Sequence, residues 1–311
     1  MIRPLLLALA LIPTGPHAPA AEEPPFTRTM DVVYGRKHGL ALTFDVFTPA
    51  GKPNGLGLIF VVSGGWFSAH EAITPAFLEP MLRRGYTVFA VLHGSQPRYT
   101  IPEAVDDIDR ATHYIHYHAR EYKIDPDRLG IYGISAGGHL ALMQATAGDA
   151  GRPNPLDPVV RTSARVRAVA AFFPPTDFLN YGKPGVNGIG RGPLHAFFPA
   201  FDFHDFDVKA NRYELIRDES RIAEIGRKIS PITHITRDDP PALIIHGESD
   251  TLVPIQQAES FVARLREAGV AAKLVPKPGK AHGWPDLRED LATVADWFDA
   301  HLKPTAPSPS R

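Results

Sequence analysis

A serine hydroxyl attacks a carbonyl carbon only when it is exposed, oriented and beside a base. Ser135 stands where a fold can supply all three. It lies in Gly133-Ile134-Ser135-Ala136-Gly137-Gly138, between an apolar run (Arg128 to Ile134) and an Ala/Leu-rich helical pattern (Ala136 to Ala147). A sharp strand-to-helix turn lifts such a serine above a sheet edge. It also crowds the positions two before and two after, and both are glycine here. The plain alternative is a glycine-rich turn whose serine merely caps the helix.

Attack on a carbonyl builds negative charge on its oxygen, which preorganised N–H donors must meet. Val62-Ser63-Gly64-Gly65-Trp66 directly follows the apolar run Leu58 to Val62, and consecutive glycines let backbone amides turn outward without a Cβ penalty. The expected oxyanion donors are Ala136, at the start of the helix after Ser135, and Gly65, with Gly64 or Trp66 as alternatives. An ordinary tight turn is the competing reading of this segment.

The base should follow the serine in a late loop at the same sheet edge. His282, in Ala281-His282-Gly283-Trp284, lies between the last strand pattern and the last helix pattern. His246 ends a strand and is expected to support a neighbouring loop. His234 falls in an irregular stretch, and His301 ends the terminal helix. The orienting acid is expected at Asp250, in the loop after the penultimate strand, giving the chain order Ser, Asp, His. Its carboxylate would fix the tautomer of His282 and stabilise the imidazolium. Glu248, two residues earlier, would point elsewhere, and Asp177 is the alternative acid. This chemistry requires no metal or organic cofactor.

The elements that must position these groups alternate between strand and helix. Met30 to Tyr34 and Leu40 to Phe47 read as an opening hairpin. Strands follow at Leu58–Val62, Tyr86–Leu92, Arg128–Ile134, Val166–Phe173, Ala242–Ile245 and Ala272–Val275. Helical patterns lie between them: Phe77 to Leu82, Glu103 to about Tyr122, Ala136 to Ala147, Ala258 to Leu265, and finally Leu287 to Phe298. The expectation is an α/β fold with a mostly parallel central sheet covered by helices on both faces. One stretch breaks the rhythm. The segment between Pro174 and Pro241 is too long for an ordinary connection, so an insertion acting as a lid or cap is expected at about 177–230.

Composition sets the limits. The chain has 311 residues, 44% of them hydrophobic, enough for one large α/β domain spanning about 26–302. Net charge is −1 without a long basic run, which disfavours a nucleic-acid surface. With no cysteine, disulfides, thiolate metal sites and a cysteine nucleophile are excluded. Arg3, the apolar stretch Leu5 to Ile12 and the small-x-small Ala18-Pro19-Ala20 read as an export signal over residues 1–20. That stretch is too short to remain as a membrane anchor. A secreted or periplasmic product follows as an expectation. Residues 303–311, rich in Pro, Ser and Thr, read as a floppy tail.

These motifs resemble the α/β-hydrolase superfamily of serine esterases. The pattern is similar to the hormone-sensitive-lipase-like esterases and to bacterial feruloyl and acetyl-xylan esterases. The likeness covers roughly Asp31 to Leu302 and rests on Ser63-Gly64-Gly65-Trp66, Gly133 to Gly138, the Asp250 loop and His282-Gly283-Trp284. Ile101-Pro102-Glu103-Ala104-Val105-Asp106-Asp107 also resembles the segment opening the corresponding helix there. The resemblance implies a small-molecule or carbohydrate ester as substrate. One departure concerns the oxyanion motif, usually His-Gly-Gly-Gly, in which Val62 and Ser63 replace the first two residues. The rivals are a prolyl-oligopeptidase-like peptidase with the same triad, for which the chain lacks a propeller's length of sequence, and a non-catalytic secreted binding module.

Other signals carry less. His113, His116 and His118 spread around a helix and cannot meet on one ion. Gly188-Ile189-Gly190-Arg191-Gly192 has no preceding strand and no following Lys-Ser/Thr, so it reads as a glycine-rich segment of the insertion and not a phosphate loop. Phe197, Phe198, Phe201, Phe203 and Phe206 form either a small core under the insertion or, with Trp66 and Trp284, an apolar wall of the substrate pocket.

Overall fold

A computed structural model describes residues 26–153 and 156–304. The expected export signal lies outside the described residues, as does the tail beyond residue 304. Strands β1 (Phe26–Lys37) and β2 (Leu40–Pro49) form the opening hairpin. Its turn at His38-Gly39 puts both residues at positive φ, 48° and 80°. There follow β3 (Gly57–Val61), the single turn α1 (Glu79–Leu82), β4 (Thr87–Val91), α2 (Ile101–Tyr117), β5 (Leu129–Ile134), α3 (Ala136–Ala147) and β6 (Ala168–Phe172). After a long excursion come β7 (His204–Asp207), β8 (Arg212–Leu215), α4 (Glu219–Lys228), β9 (Ala242–Gly247), α5 (Gln256–Glu267), β10 (Ala272–Lys277) and α6 (Leu287–Leu302).

Eight strands form one sheet in the order β1-β2-β4-β3-β5-β6-β9-β10. The pairs β1·β2 and β2·β4 are antiparallel and the others parallel. The central strands are buried along their whole length, which is why their sequences are continuous apolar runs. Their side chains still alternate between two cores. Ile59, Val61, Phe89, Val91, Ile131 and Ile244 meet α2, α3 and α5 on one face. Leu58, Phe60, Val88, Tyr132, Leu243 and Ile245 meet α1 and α6 on the other.

The helices begin and end where their sequences dictate. At the start of α2, Glu103 Oε2 accepts the Thr100 backbone N–H at 2.7 Å in a capping box, with Pro102 in the first turn. From its first residue the helix turns Ile101, Ala104, Ile108, Ala111 and Ile115 to the core. The helix was expected to reach Tyr122 but stops at Tyr117 and continues as turns, with Lys123 at φ 56° redirecting the chain into β5.

The long excursion between β6 and β9 holds two short 3-10 turns across Gly192–Phe201, kinked at Phe197, then the exposed β7–β8 hairpin and α4. Phe178, Tyr181, Ile189, Leu194, Phe201, Phe203 and Ile229 from it are all buried in the core that covers α3. These side chains anchor the insertion to that core, while its β7–β8 hairpin and most of α4 stay at the surface. The five-phenylalanine cluster splits accordingly: Phe201 and Phe203 are buried, whereas Phe206 is exposed and pairs with Tyr213 across the hairpin.

Candidate active site

The carboxyl ends of β3, β5, β9 and β10 lie along one edge of the sheet, with β6 between β5 and β9, and the loops leaving them carry the candidate residues. Ser135 links β5 directly to α3 at φ 54° and ψ −119°, a backbone conformation that L-residues avoid. Local sequence makes it tolerable. A Cβ on Gly133 would lie 2.3 Å from the Gly137 carbonyl, and one on Gly137 would lie 2.6 Å from the Val61 carbonyl oxygen. The turn closes only with glycine at both places.

Ser135 Oγ is 2.8 Å from His282 Nε2, and His282 Nδ1 is 2.7 Å from Asp250 Oδ2. A carboxylate accepts only, so the proton of the ring sits on Nδ1 and Nε2 is free to accept from the serine. Asp250 Oδ1 accepts the backbone N–H groups of Leu252 and Val253, each at 2.9 Å. Burial alone would raise the Asp250 pKa. Hydrogen bonding from His246, His282 and the Val253 N–H outweighs it and holds the carboxyl well below the usual carboxylate range. The acid and histidine loops are tied by backbone bonds, Ser249 N–H to Lys280 O at 2.9 Å and Glu248 N–H to Lys277 O at 3.1 Å. A Cβ on Gly247 would lie 2.4 Å from the Lys280 carbonyl oxygen, so this crossing also requires glycine.

The competing side chains have other partners. Asp177 caps its own turn, accepting from Leu179 N–H, Asn180 N–H and Asn180 Nδ2. Glu248 is exposed. His246 Nε2 lies 2.8 Å from the Val253 carbonyl and props the acid loop, as expected. His234 and His301 bond to the Lys228 and Trp297 carbonyls.

The segment after β3 corrects one expected donor. Gly64 and Phe67 exchange both backbone hydrogen bonds at 2.9 Å, enclosing Gly65 and Trp66 in a two-residue turn with φ of 55° and 59°. Two positive φ values in succession define a type I′ turn. The Gly64 N–H is thus consumed by Phe67 and is not an oxyanion donor. Among the described residues, the N–H groups of Gly65, Trp66 and Ala136 have no acceptor, so these three are the donors left.

Trp66 at positive φ is strained and must be held. Its indole is 3% exposed and donates from Nε1 to His139 Nδ1 at 3.1 Å. His139 Nε2 donates to the Ile229 carbonyl at 2.7 Å. One buried ring therefore ties the Gly65-Trp66 turn to α3 and to the insertion. The departure at Ser63 has a matching brace. Ser63 Oγ is 2.8 Å from His93 Nε2, while His93 Nδ1–H donates to the Gly94 carbonyl at 2.9 Å. The loop lacks the motif's own histidine, and one from the end of β4 takes over its bracing.

Burial pushes the pKa of both His93 and His139 down to about 4, against partial recovery from their carbonyl partners. In the unfolded chain each would titrate near 6.5. Between those values the unfolded chain binds more protons, so acidification from pH 6.5 towards 4 costs stability, up to ~3 kcal/mol per ring. Urea unfolding at pH 7 and 4.5 checks this. The wild type is expected to lose roughly 2–3 kcal/mol more than His139→Gln over that interval; equal losses would contradict the neutral buried ring.

The expected pocket wall needs correction. Trp284 is 8% exposed, donates from Nε1 to Asp290 Oδ2 at 2.9 Å and packs against Phe172 and Phe173. Trp66 is likewise buried, so it offers the site backbone and no ring surface. Both indoles went inward because each has a buried acceptor. Phe198 is 46% exposed with its ring against Gly190, apart from the turn. Phe197 does belong: its ring lies where a Cβ of Gly65 would be, within 2.4 Å. The sequence reading missed Phe173, whose ring centroid is 4.4 Å from that of His282, and also His93 and His139. A cavity of about 1040 Å³ between the start of α2 and the insertion, lined by Pro102, Val105, Phe203 and Ile225 among others, includes no member of the triad.

Sheet order, elbow and triad geometry together define an α/β-hydrolase fold. The BD-FAE family model matches residues 44–265, and the chain belongs to that family. Two Mycobacterium tuberculosis proteins are similar to it. The probable carboxylic ester hydrolase LipM is 28% identical over 215 residues, covering 68% of this chain and 45% of the relative. Esterase LipC is 30% identical over 239 residues, covering 76% and 54%. The chain thus spans about half the length of these relatives. Among solved structures, a truncated form of a carbohydrate esterase from gut microbiota superposes with a TM-score of 0.73 at 24% identity, covering 91% of this chain and 98% of the other. Among the described residues no helix is long and apolar enough to cross a membrane.

Proposed function

We propose that the protein hydrolyses carboxylic esters through an acyl-enzyme on Ser135, and that the alcohol part of its substrate is a carbohydrate. The unbroken hydrogen-bond chain from Ser135 Oγ through His282 to Asp250 is the observation that carries this reading. In it, Oγ bonds to the ester carbonyl carbon as His282 Nε2 takes the hydroxyl proton. The oxyanion is met by N–H groups of Ala136 and of Gly65 or Trp66. Collapse breaks the C–O bond, and His282 returns its proton to the departing alcohol. Water then attacks the acyl-enzyme with His282 again as base, releasing the acid and restoring the serine. Asp250 stays ionised throughout, consistent with its depressed pKa.

The similarity to LipM, a probable carboxylic ester hydrolase, and to esterase LipC supports ester hydrolysis, and the likeness to a gut-microbial carbohydrate esterase supports a carbohydrate ester. Export belongs to the same reading, supported by Arg3, Leu5 to Ile12 and Ala18-Pro19-Ala20. A panel of short-chain nitrophenyl esters, acetylated xylan, methyl ferulate and a proline-containing peptide tests it. The expected result is turnover of nitrophenyl acetate, with acetate or ferulate released from its ester. The best ester should exceed the peptide at least about 100-fold in kcat/KM. Faster cleavage of the peptide would favour a peptidase, and inertness towards every ester would contradict the proposal.

A further inference from the structure

We propose that Asp109, His113 and Asp149 form a binding site for a zinc-like transition-metal dication, separate from the triad. Asp109 and His113 stand four residues apart on one face of α2, and Asp149 lies two residues beyond the end of α3. Ser135 is at the opposite end of α3, whose twelve residues put roughly 18 Å between the two sites.

The decisive atom is His113 Nε2. The His113 ring is fully buried, and its Nδ1 lies 2.8 Å from the Thr162 carbonyl oxygen. A carbonyl only accepts, so the proton is on Nδ1 and Nε2 presents a lone pair. That nitrogen is buried without a hydrogen-bond partner. Its nearest polar neighbours are Asp109 Oδ2 at 3.4 Å and Asp149 Oδ1 at 3.6 Å. Three lone-pair atoms therefore face one another, all within 4.8 Å.

Two kinds of cation could relieve this. A proton on Nε2 would make an imidazolium, but charge-assisted N–H···O bonds close to about 2.7–2.9 Å, well inside the separations found. A tetrahedral metal with bonds of about 2.0–2.2 Å sets neighbouring ligand atoms about 3.4 Å apart, the edge of that tetrahedron. Both separations from His113 Nε2, 3.4 and 3.6 Å, lie near that edge, and the two carboxylate oxygens are within 4.8 Å of each other. One imidazole with two carboxylates suits zinc and its neighbours better than calcium or magnesium, which take oxygen alone. The Thr162 carbonyl already fixes the ring's tautomer and direction, as an outer partner of a metal-bound histidine does.

Arg152 now covers the carboxylates, its guanidinium 3.2 Å from Asp109 Oδ2 and 3.5 Å from Asp149 Oδ2. Its side chain is 59% exposed, so it can swing into solvent when a dication arrives. His116 and His118 take no part. They bond to the Arg165 carbonyl and to Glu121, so the three helix histidines indeed diverge. A bound ion would clamp α2 to the end of the nucleophile helix.

Calorimetric titration of the tag-free full chain with zinc chloride tests the site, with calcium chloride as comparison. One saturating zinc per chain is expected, weakened at least tenfold in Asp109→Asn and in His113→Gln and strengthened in Arg152→Ala. Calcium is expected to give no saturable binding. Asp109 is partly exposed, so its variant stays readable if the buried His113→Gln fails to fold. Zinc should also raise the melting temperature of the wild type and not that of Asp109→Asn. Equal zinc affinity in wild type and Asp109→Asn, absence of saturable zinc binding, or preference for calcium would each overturn the proposal.

Discussion

Replacing Ser135 by alanine is expected to lower kcat on a short-chain nitrophenyl ester by roughly 10⁵–10⁶-fold. The oxyanion donors and the binding surface remain in the variant, so a residual rate above that of water should persist. KM should change little, because Oγ contributes to the transition state far more than to ground-state binding. Stability should hold or rise slightly. Ser135 sits at φ 54°, a strain that alanine shares, and among the described residues its Oγ bonds to His282. Parallel kinetics and melting curves would separate lost chemistry from lost fold. A fall of less than tenfold would remove Ser135 from the mechanism.

The second large effect is expected from Asp250→Asn, a loss of about 10⁴-fold in kcat with little change in fold. The surroundings of Asp250 dictate the reason. Its Oδ1 accepts two backbone N–H groups, from Leu252 and Val253, and only an oxygen can stay there. An asparagine is therefore forced to point its amide nitrogen at His282 Nδ1. That amide donates, so the ring must carry its proton on Nε2, facing Ser135. A histidine in that tautomer cannot take the serine proton. Asp177→Asn, by contrast, touches only a local turn and should leave kcat within about threefold. If the two variants lose activity equally, the assignment of the acid fails.

Most of the sheet could be read from the sequence because its strands are short apolar runs closed by turn residues. Leu58–Val62 and Tyr86–Leu92 each came within one residue of β3 and β4 at either end. Ser135, Asp250 and His282 were legible for a related reason: their neighbours must be small or must turn, so glycine marks Gly133, Gly137, Gly247 and Gly283 around them. What could not be read depended on pairings between distant segments. The Gly64 amide looked available until Phe67 was seen to take it. Trp66 and Trp284 looked like pocket walls because no sequence pattern shows that His139 and Asp290 wait to accept their indole N–H groups.

The histidines show the same limit from the other side. His139 follows Ser135 by one helical turn in the apolar first half of α3, a spacing that could have flagged a buried polar contact. His93 carries no local signal. It matters only because β4 neighbours β3, which brings it beside the serine that departs from the oxyanion motif. The insertion is expected as a lid or cap from its length alone; length does not show that Phe178, Phe201, Phe203 and Ile229 root it in the core beside α3 while the β7–β8 hairpin stays exposed.

The most direct measurement is intact-protein and peptide mass spectrometry after treatment with a fluorophosphonate, which phosphonylates only a serine activated by an adjacent base. One adduct per chain is expected, on the peptide bearing Ser135, greatly slowed in His282→Ala and absent in Ser135→Ala. Labelling at another residue, or an unreactive wild-type protein that is demonstrably folded, would contradict the triad assignment.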